Sequence, residues 1–222
     1  MHQSWKPIEN LRYQEPLKSL NYKILNAEKF EPRKDLIFKV FEMPLQRIRV
    51  VVLGQNPYYT PNTAVGRAFA VNKEAKIPPS LRIIAKEMKV DPKIGSWRTL
   101  EHLEQQGFFL LNTALTVRRG EPASHIKYWT YFILSVIKYI SKMNPCIWLL
   151  WGNKAKSYKE HIYNPQIIKD EMILKPNHNY ILESTHPAAE VYGKGNFIGS
   201  GHFKKVNEIL KNKKEKQINY EI

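Results

Sequence analysis

The chain has 222 residues, with 35 Lys+Arg against 20 Asp+Glu, a formal charge of +15 and a sequence pI near 9.7. So positive a balance points to a polyanionic partner, while 43% hydrophobic and 12% aromatic residues suffice for a sizeable core and exclude disorder over the bulk of the chain. The single cysteine, Cys146, excludes an intramolecular disulfide framework and a cysteine-rich zinc site; it fits a reducing compartment, the cytoplasm or, in a eukaryotic or viral setting, the nucleus.

Residues 1–34 carry no readable functional signal, and within them Trp5, Pro7, Glu9, Arg12 and Glu15 interrupt any apolar core that a secretory signal or anchor would need. No membrane partner is expected, since no apolar run of about eighteen residues, basic amphipathic helix or lipidation signal stands out. In chain order the pattern predicts a helix over Asp35–Glu42, a strand over Ile48–Leu53, helices over Pro79–Met88 and Thr99–Gln106, and a strand over Phe108–Leu111. A helix follows over Tyr128–Lys142, with Phe132, Val136, Tyr139 and Ile140 on one face, then a strand over Cys146–Trp151 and a helix over Asn153–Tyr163. A strand over Tyr180–Leu182 and a helix over Phe203–Lys211 complete the set. Strands alternating with helices predict one α/β domain spanning residues 1–222 around a parallel sheet. The lysines at 204, 205, 211, 213, 214 and 216 read as a solvated helix end.

In open α/β sheets ligands bind beyond the carboxyl ends of the strands. All four exits are polar here: Gly54-Gln55-Asn56-Pro57-Tyr58-Tyr59, then Asn112, then Gly152-Asn153, then Thr185-His186-Pro187. Asn56 and Asn112 supply amides that read a base edge, His186 a donor for a developing anion, and Tyr58 and Phe69 flat faces for stacking. Converging, they describe a nucleobase pocket, although each alone has a duller explanation as a turn former, cap or rim aromatic. Ser124-His125 lacks the Gly-x-Ser-x-Gly elbow of a hydrolase and reads as a phosphate contact.

The segments GQNPYYTPNTAVGRAFAV (54–71), LLNTALTVRRGEPASH (110–125), LLWGNKA (149–155) and HPAAEVYGKGNFIGSGHF (186–203) resemble the family 1 uracil-DNA glycosylases in order and spacing. The resemblance implies a central four-stranded parallel sheet and a monomeric enzyme that flips a nucleotide out of DNA and cleaves its N-glycosidic bond without metal or cofactor. It further implies that Gln55 helps hold the pyrimidine, Phe69 stacks on it, Asn112 reads its Watson–Crick edge, Tyr58 guards C5, and His186 stabilises the departing base. Pro79 and Ser80, Gly152 and Asn153, and the loop through Ala188, Glu190 and Tyr192 match segments that pinch the DNA backbone and fill the vacated stack. Whether a protein inhibitor binds is left open.

The departures from the family pattern are as informative. Asn56 stands where the family has its catalytic aspartate, Tyr59 and Val65 replace histidines, and Ala188-Ala189-Glu190 replaces Ser-Pro-Leu. A carboxylate about 4 Å from an oxocarbenium-like sugar, at an effective dielectric of about 20, is worth about 4 kcal/mol, on the order of a thousandfold in rate. An amide only orients the water. Mismatch-specific and single-strand-selective relatives nevertheless carry Asn there and excise bases, so Asn56 and His186 are the expected catalytic pair. Uracil is the first expected substrate. The alternatives are a 5-modified pyrimidine such as glucosylated hydroxymethylcytosine of phage DNA, for which Glu190 would contact the added group, and an inert DNA-binding or replication accessory protein. The wedge falls to Val191 or Tyr192.

Overall fold

The computed structural model describes residues 1–26, 29–91, 95–169 and 173–221. In chain order the helices and strands are α1 (Lys6–Glu9), α2 (Leu17–Asn26), β1 (Phe30–Glu31), β2 (Val50–Gly54), α3 (Pro79–Met88), α4 (Glu101–Gln105) and β3 (Phe108–Asn112). They continue with β4 (Val117–Arg118), α5 (Ile126–Met143), β5 (Ile147–Trp151), α6 (Asn153–Lys156), β6 (Pro165–Ile167), β7 (Asn179–Ser184) and α7 (His202–Asn212). Among the described residues no helix is long and apolar enough to cross a membrane.

The central sheet is parallel throughout, in the order β3-β2-β5-β7-β6. Its register sets Val52 beside Leu110 and Leu149, and Gly54 beside Asn112, so the strand exits lie at one edge of the sheet. Both faces are covered, which is why the inner strands read as continuous apolar runs. Val51, Leu53, Phe109, Leu111, Trp148 and Leu150 point into one layer with α5, and Val50, Val52, Phe108, Leu110, Ile147 and Leu149 into the other with α3 and α7. The N-terminal segment belongs to the first layer: Trp5 is fully buried, stacks on Phe109 at 5.4 Å and donates from Nε1 to the Met43 carbonyl at 2.8 Å.

Five strands replace the four expected. The additional strand, β6, is three residues at the sheet edge, begins with proline and is largely exposed, so neither hydrophobicity nor propensity marks it. The helix expected over Asp35–Glu42 is two 3-10 turns, Lys34–Leu36 and Lys39–Glu42, from which Ile37, Phe38, Val40 and Phe41 pack into the first layer. The helix expected over Asn153–Tyr163 is α only to Lys156 and continues as a 3-10 turn, Lys159–His161, before Asn164 at φ +47° reverses the chain into β6.

Candidate active site

The pocket begins where β2 and β3 end side by side. A Cβ at Gly54 would lie 2.4 Å from Asn112 Oδ1 and 2.8 Å from the Ala68 Cβ, so only glycine lets the Asn112 amide and the 67–70 segment approach β2 this closely. Asn112 itself is 6% exposed. The Ala68 amide donates to the Leu110 carbonyl at 2.8 Å, which holds the next residue, Phe69, against the sheet edge at φ +64°. This is a left-handed conformation that an aromatic side chain adopts only under constraint from its surroundings. Phe69 packs at 5.5 Å from Trp151, at the end of β5, and at 5.8 Å from His186, after β7. Gly152 closes the ring: at φ +87° its missing Cβ leaves room for the Cβ of His186, 2.9 Å away.

Each polar group around Phe69 has a defined tether. The Tyr58 hydroxyl meets the Phe69 carbonyl at 3.3 Å and Ser80 Oγ at 3.0 Å, and burial pushes its phenol up to about 12 despite the hydrogen bond to Ser80, so it stays protonated. His186 Nδ1 accepts from the Ala188 amide at 3.1 Å, capping the 3-10 turn Pro187–Tyr192. Because Nδ1 is an acceptor, the proton of the neutral ring sits on Nε2. Burial among its neighbours lowers the His186 pKa, so at pH 7 the ring is a neutral Nε2–H donor. Gln55 is exposed, with its carbonyl accepting from the Ala114 amide at 3.0 Å and from Thr113 Oγ1 at 2.9 Å. Asn56 donates from Nδ2 to the Pro57 carbonyl at 2.6 Å and accepts at Oδ1 from the Ala123 amide at 3.3 Å.

The structure brings Gln55, Asn56, Tyr58, Phe69, Asn112, Gly152 and His186 together at one end of the sheet, with Asn153 exposed at the start of α6 and Pro79 exposed at the start of α3. Other residues expected to meet DNA are turned inward. Ser80 is buried against the Tyr58 hydroxyl. His125 is 2% exposed: Trp129 Nε1 donates to Thr116 Oγ1 at 2.8 Å, and the Thr116 hydroxyl lies 3.0 Å from His125 Nδ1, so the imidazole is a core group rather than a phosphate contact. Ser124 Oγ accepts from the Arg118 amide at 2.9 Å and shapes the loop above it.

Glu190 also corrects its sequence reading. Its carboxylate does not reach out toward a ligand but folds back to accept from the amides of Phe197 and of Ile198, the latter at 3.0 Å. Gly195 must be glycine for the same reason, since a Cβ there would lie 2.6 Å from that carboxyl carbon. Glu87, on α3, accepts from the Gly199 amide at 2.6 Å and the Gly201 amide at 2.9 Å, fixing the other end of the loop. Between these anchors and His186, Val191 and Tyr192 are left 53% and 76% exposed. Glu87, Ala123 and Trp151 support the site without any local sequence signal, because each acts on a distant segment: Glu87 through its carboxylate, Ala123 through its backbone amide and Trp151 through its ring.

A family model described as the uracil DNA glycosylase superfamily matches residues 41–211. A uracil-DNA glycosylase of Fusobacterium nucleatum is 36% identical over 234 residues, covering 100% of this chain and 96% of its own, and one of Borreliella burgdorferi is 37% identical over 233 residues, covering 100% and 98%. Among solved structures, mimivirus uracil-DNA glycosylase superposes with a TM-score of 0.84 at 23% identity, covering 100% of this chain and 87% of that one. The same fold is found in a mimivirus variant in complex with UGI, at a TM-score of 0.84 and 23% identity, with 100% and 89% coverage. From the sheet and pocket geometry and from these likenesses, the chain belongs to the uracil DNA glycosylase superfamily of DNA N-glycosylases.

Proposed function

We propose that this enzyme removes uracil from DNA by hydrolysing its N-glycosidic bond, leaving an abasic site for base excision repair. The observation that carries the reading is the set Tyr58–Phe69–His186, a C5 guard, a stacking face and a neutral donor linked by direct contacts, with the buried edge reader Asn112 at the neighbouring strand exit, packed against Gly54. The names of the relatives support the same substrate.

In the proposed reaction the C1′–N bond breaks first and its electron pair leaves with the base. The Nε2–H of His186 donates to the pyrimidine O2 as negative charge develops there, helped by the Gln55 amide, while Asn112 pairs with the Watson–Crick edge. Water then bonds to C1′ of the sugar cation, one of its hydrogens held by Asn56 Oδ1, and the proton released passes to solvent. A neutral imidazole suits this role, because a ring proton on Nδ1 would face the Ala188 N–H that it now accepts from. Val191 and Tyr192, exposed beside the pocket, are suited to fill the space the base leaves.

The tethering of Tyr58 weighs against a bulky 5-modified pyrimidine, because both hydroxyl contacts hold its ring next to Phe69. The inward turn of Glu190 removes the group expected to meet an added substituent. Single-stranded oligonucleotides carrying one uracil, thymine, hydroxymethylcytosine or glucosylated hydroxymethylcytosine separate the readings: abasic product is expected at uracil alone, and faster excision of the glucosylated base would replace it.

A further inference from the structure

Beside the base pocket lies a groove of about 820 Å³ that Phe69, Asn112 and His186 do not line. It shares Tyr58 and Ala188 with the pocket and runs between three loops, with Tyr59, Pro61, Ile77, Pro78, Val191 and Tyr192 supplying most of its apolar wall. Two of its aromatics come from different loops and stand open, Tyr59 at 44% and Tyr192 at 76% exposure. The only charged side chains on the lining are Glu74 and Lys76, which cancel. On a chain of net charge +15, a neutral apolar groove at the rim of the pocket is poorly matched to a phosphate backbone and well matched to a planar, uncharged ring.

We propose that this groove is a second nucleobase subsite, holding the unstacked base adjacent to the flipped nucleotide on the same strand, with Tyr59 as its stacking platform. The inference rests on the reading of the neighbouring pocket as a site for a flipped pyrimidine. A base next to one that has left the stack has an uncovered face, and an aromatic ring replaces the lost partner whatever the base, because every base has a π-face. Tyr59 is well placed for it: its carbonyl accepts from the Gly120 amide at 3.3 Å, which fixes its backbone while the ring stays open to the groove. The opposite wall is also formed in advance, since Glu190 and Glu87 hold the loop that carries Val191 and Tyr192, so little ordering cost falls on binding. The subsite would make excision depend on whether the bases flanking the uracil are present and free to unstack.

The test compares two single-stranded uracil oligonucleotides, one with ordinary neighbours and one in which both flanking nucleotides are base-free tetrahydrofuran units that keep the phosphates. Wild-type kcat/KM is expected to fall about tenfold on the base-free strand, equivalent to about 1.4 kcal/mol. Tyr59→Ala should show less than about a twofold preference, with Tyr59→Phe restoring it. Wild-type indifference to the flanking bases, or an equal loss on both strands in Tyr59→Ala, would overturn the subsite. The same comparison is read as Kd by fluorescence anisotropy. A preserved base dependence of Kd with no uracil excised would leave the subsite standing and remove the uracil reading; excision without base dependence would remove the subsite alone.

Discussion

The side chain of Asn56 is held at both ends, Nδ2 on the Pro57 carbonyl at 2.6 Å and Oδ1 under the Ala123 amide. Its orientation is therefore set before any water arrives, and one lone pair of Oδ1 remains for that water. Replacing it by aspartate adds a charge near the sugar cation but sets a carboxylate oxygen against the Pro57 carbonyl. Asn56→Asp is expected to raise uracil excision at least about tenfold yet short of the roughly thousandfold that Coulomb's law allows, measured as single-turnover rate. An unchanged or lower rate would show that the amide is matched to another role. The pocket residues were legible in the sequence because strand exits are where an α/β sheet places ligands, so Asn56, Asn112 and His186 needed only the strands to be found. Glu190 and His125 were misread for a reason of direction: residue type announces a charge or an imidazole, but whether it faces solvent or folds back onto amides and Thr116 depends on contacts between distant segments.

Among the elements, the buried strands and α5 announced themselves through apolar runs and a helical stripe, since both faces of the sheet and one face of the helix are covered. The edge strand β6 and the 3-10 turns did not, because they are short and set by where the chain must go next rather than by burial. The loop after His186 is held by a side chain of its own, Glu190. Glu190→Ala would leave the part-buried Phe197 amide without its acceptor, costing about 1 kcal/mol locally, while the exposed Ile198 amide turns to water. The expected outcome is faster proteolytic cleavage within residues 193–201 and a KM for DNA raised several-fold, with little change in kcat. An equal fall in kcat at unchanged KM would place Glu190 in the chemistry itself.

Across the whole molecule, the second layer is closed by α7 packing on β5, and a buried histidine sits at that junction. Trp151 Nε1 donates to His202 Nδ1 at 3.0 Å, and burial lowers the His202 pKa to about 4. The unfolded chain takes up this proton near pH 6.5 and the folded chain only near 4, so the full stability is present above pH 6.5 and is lost as pH falls between the two values. The loss by pH 4 is about 3 kcal/mol. Urea unfolding of wild type and His202→Gln between pH 7 and 4 should show the wild type losing about that much relative to the variant, and parallel curves would contradict it.

Every proposed step depends on cleavage of the base–sugar bond of deoxyuridine with His186 as the neutral donor. Its most direct test is alkali-labile strand breakage of a single-stranded oligonucleotide bearing one uracil, with His186→Ala protein alongside. Breakage is expected at the uracil position, falling at least about a hundredfold in the variant. Breakage that persists at the wild-type rate in His186→Ala, or none with wild-type protein at high concentration, would contradict it.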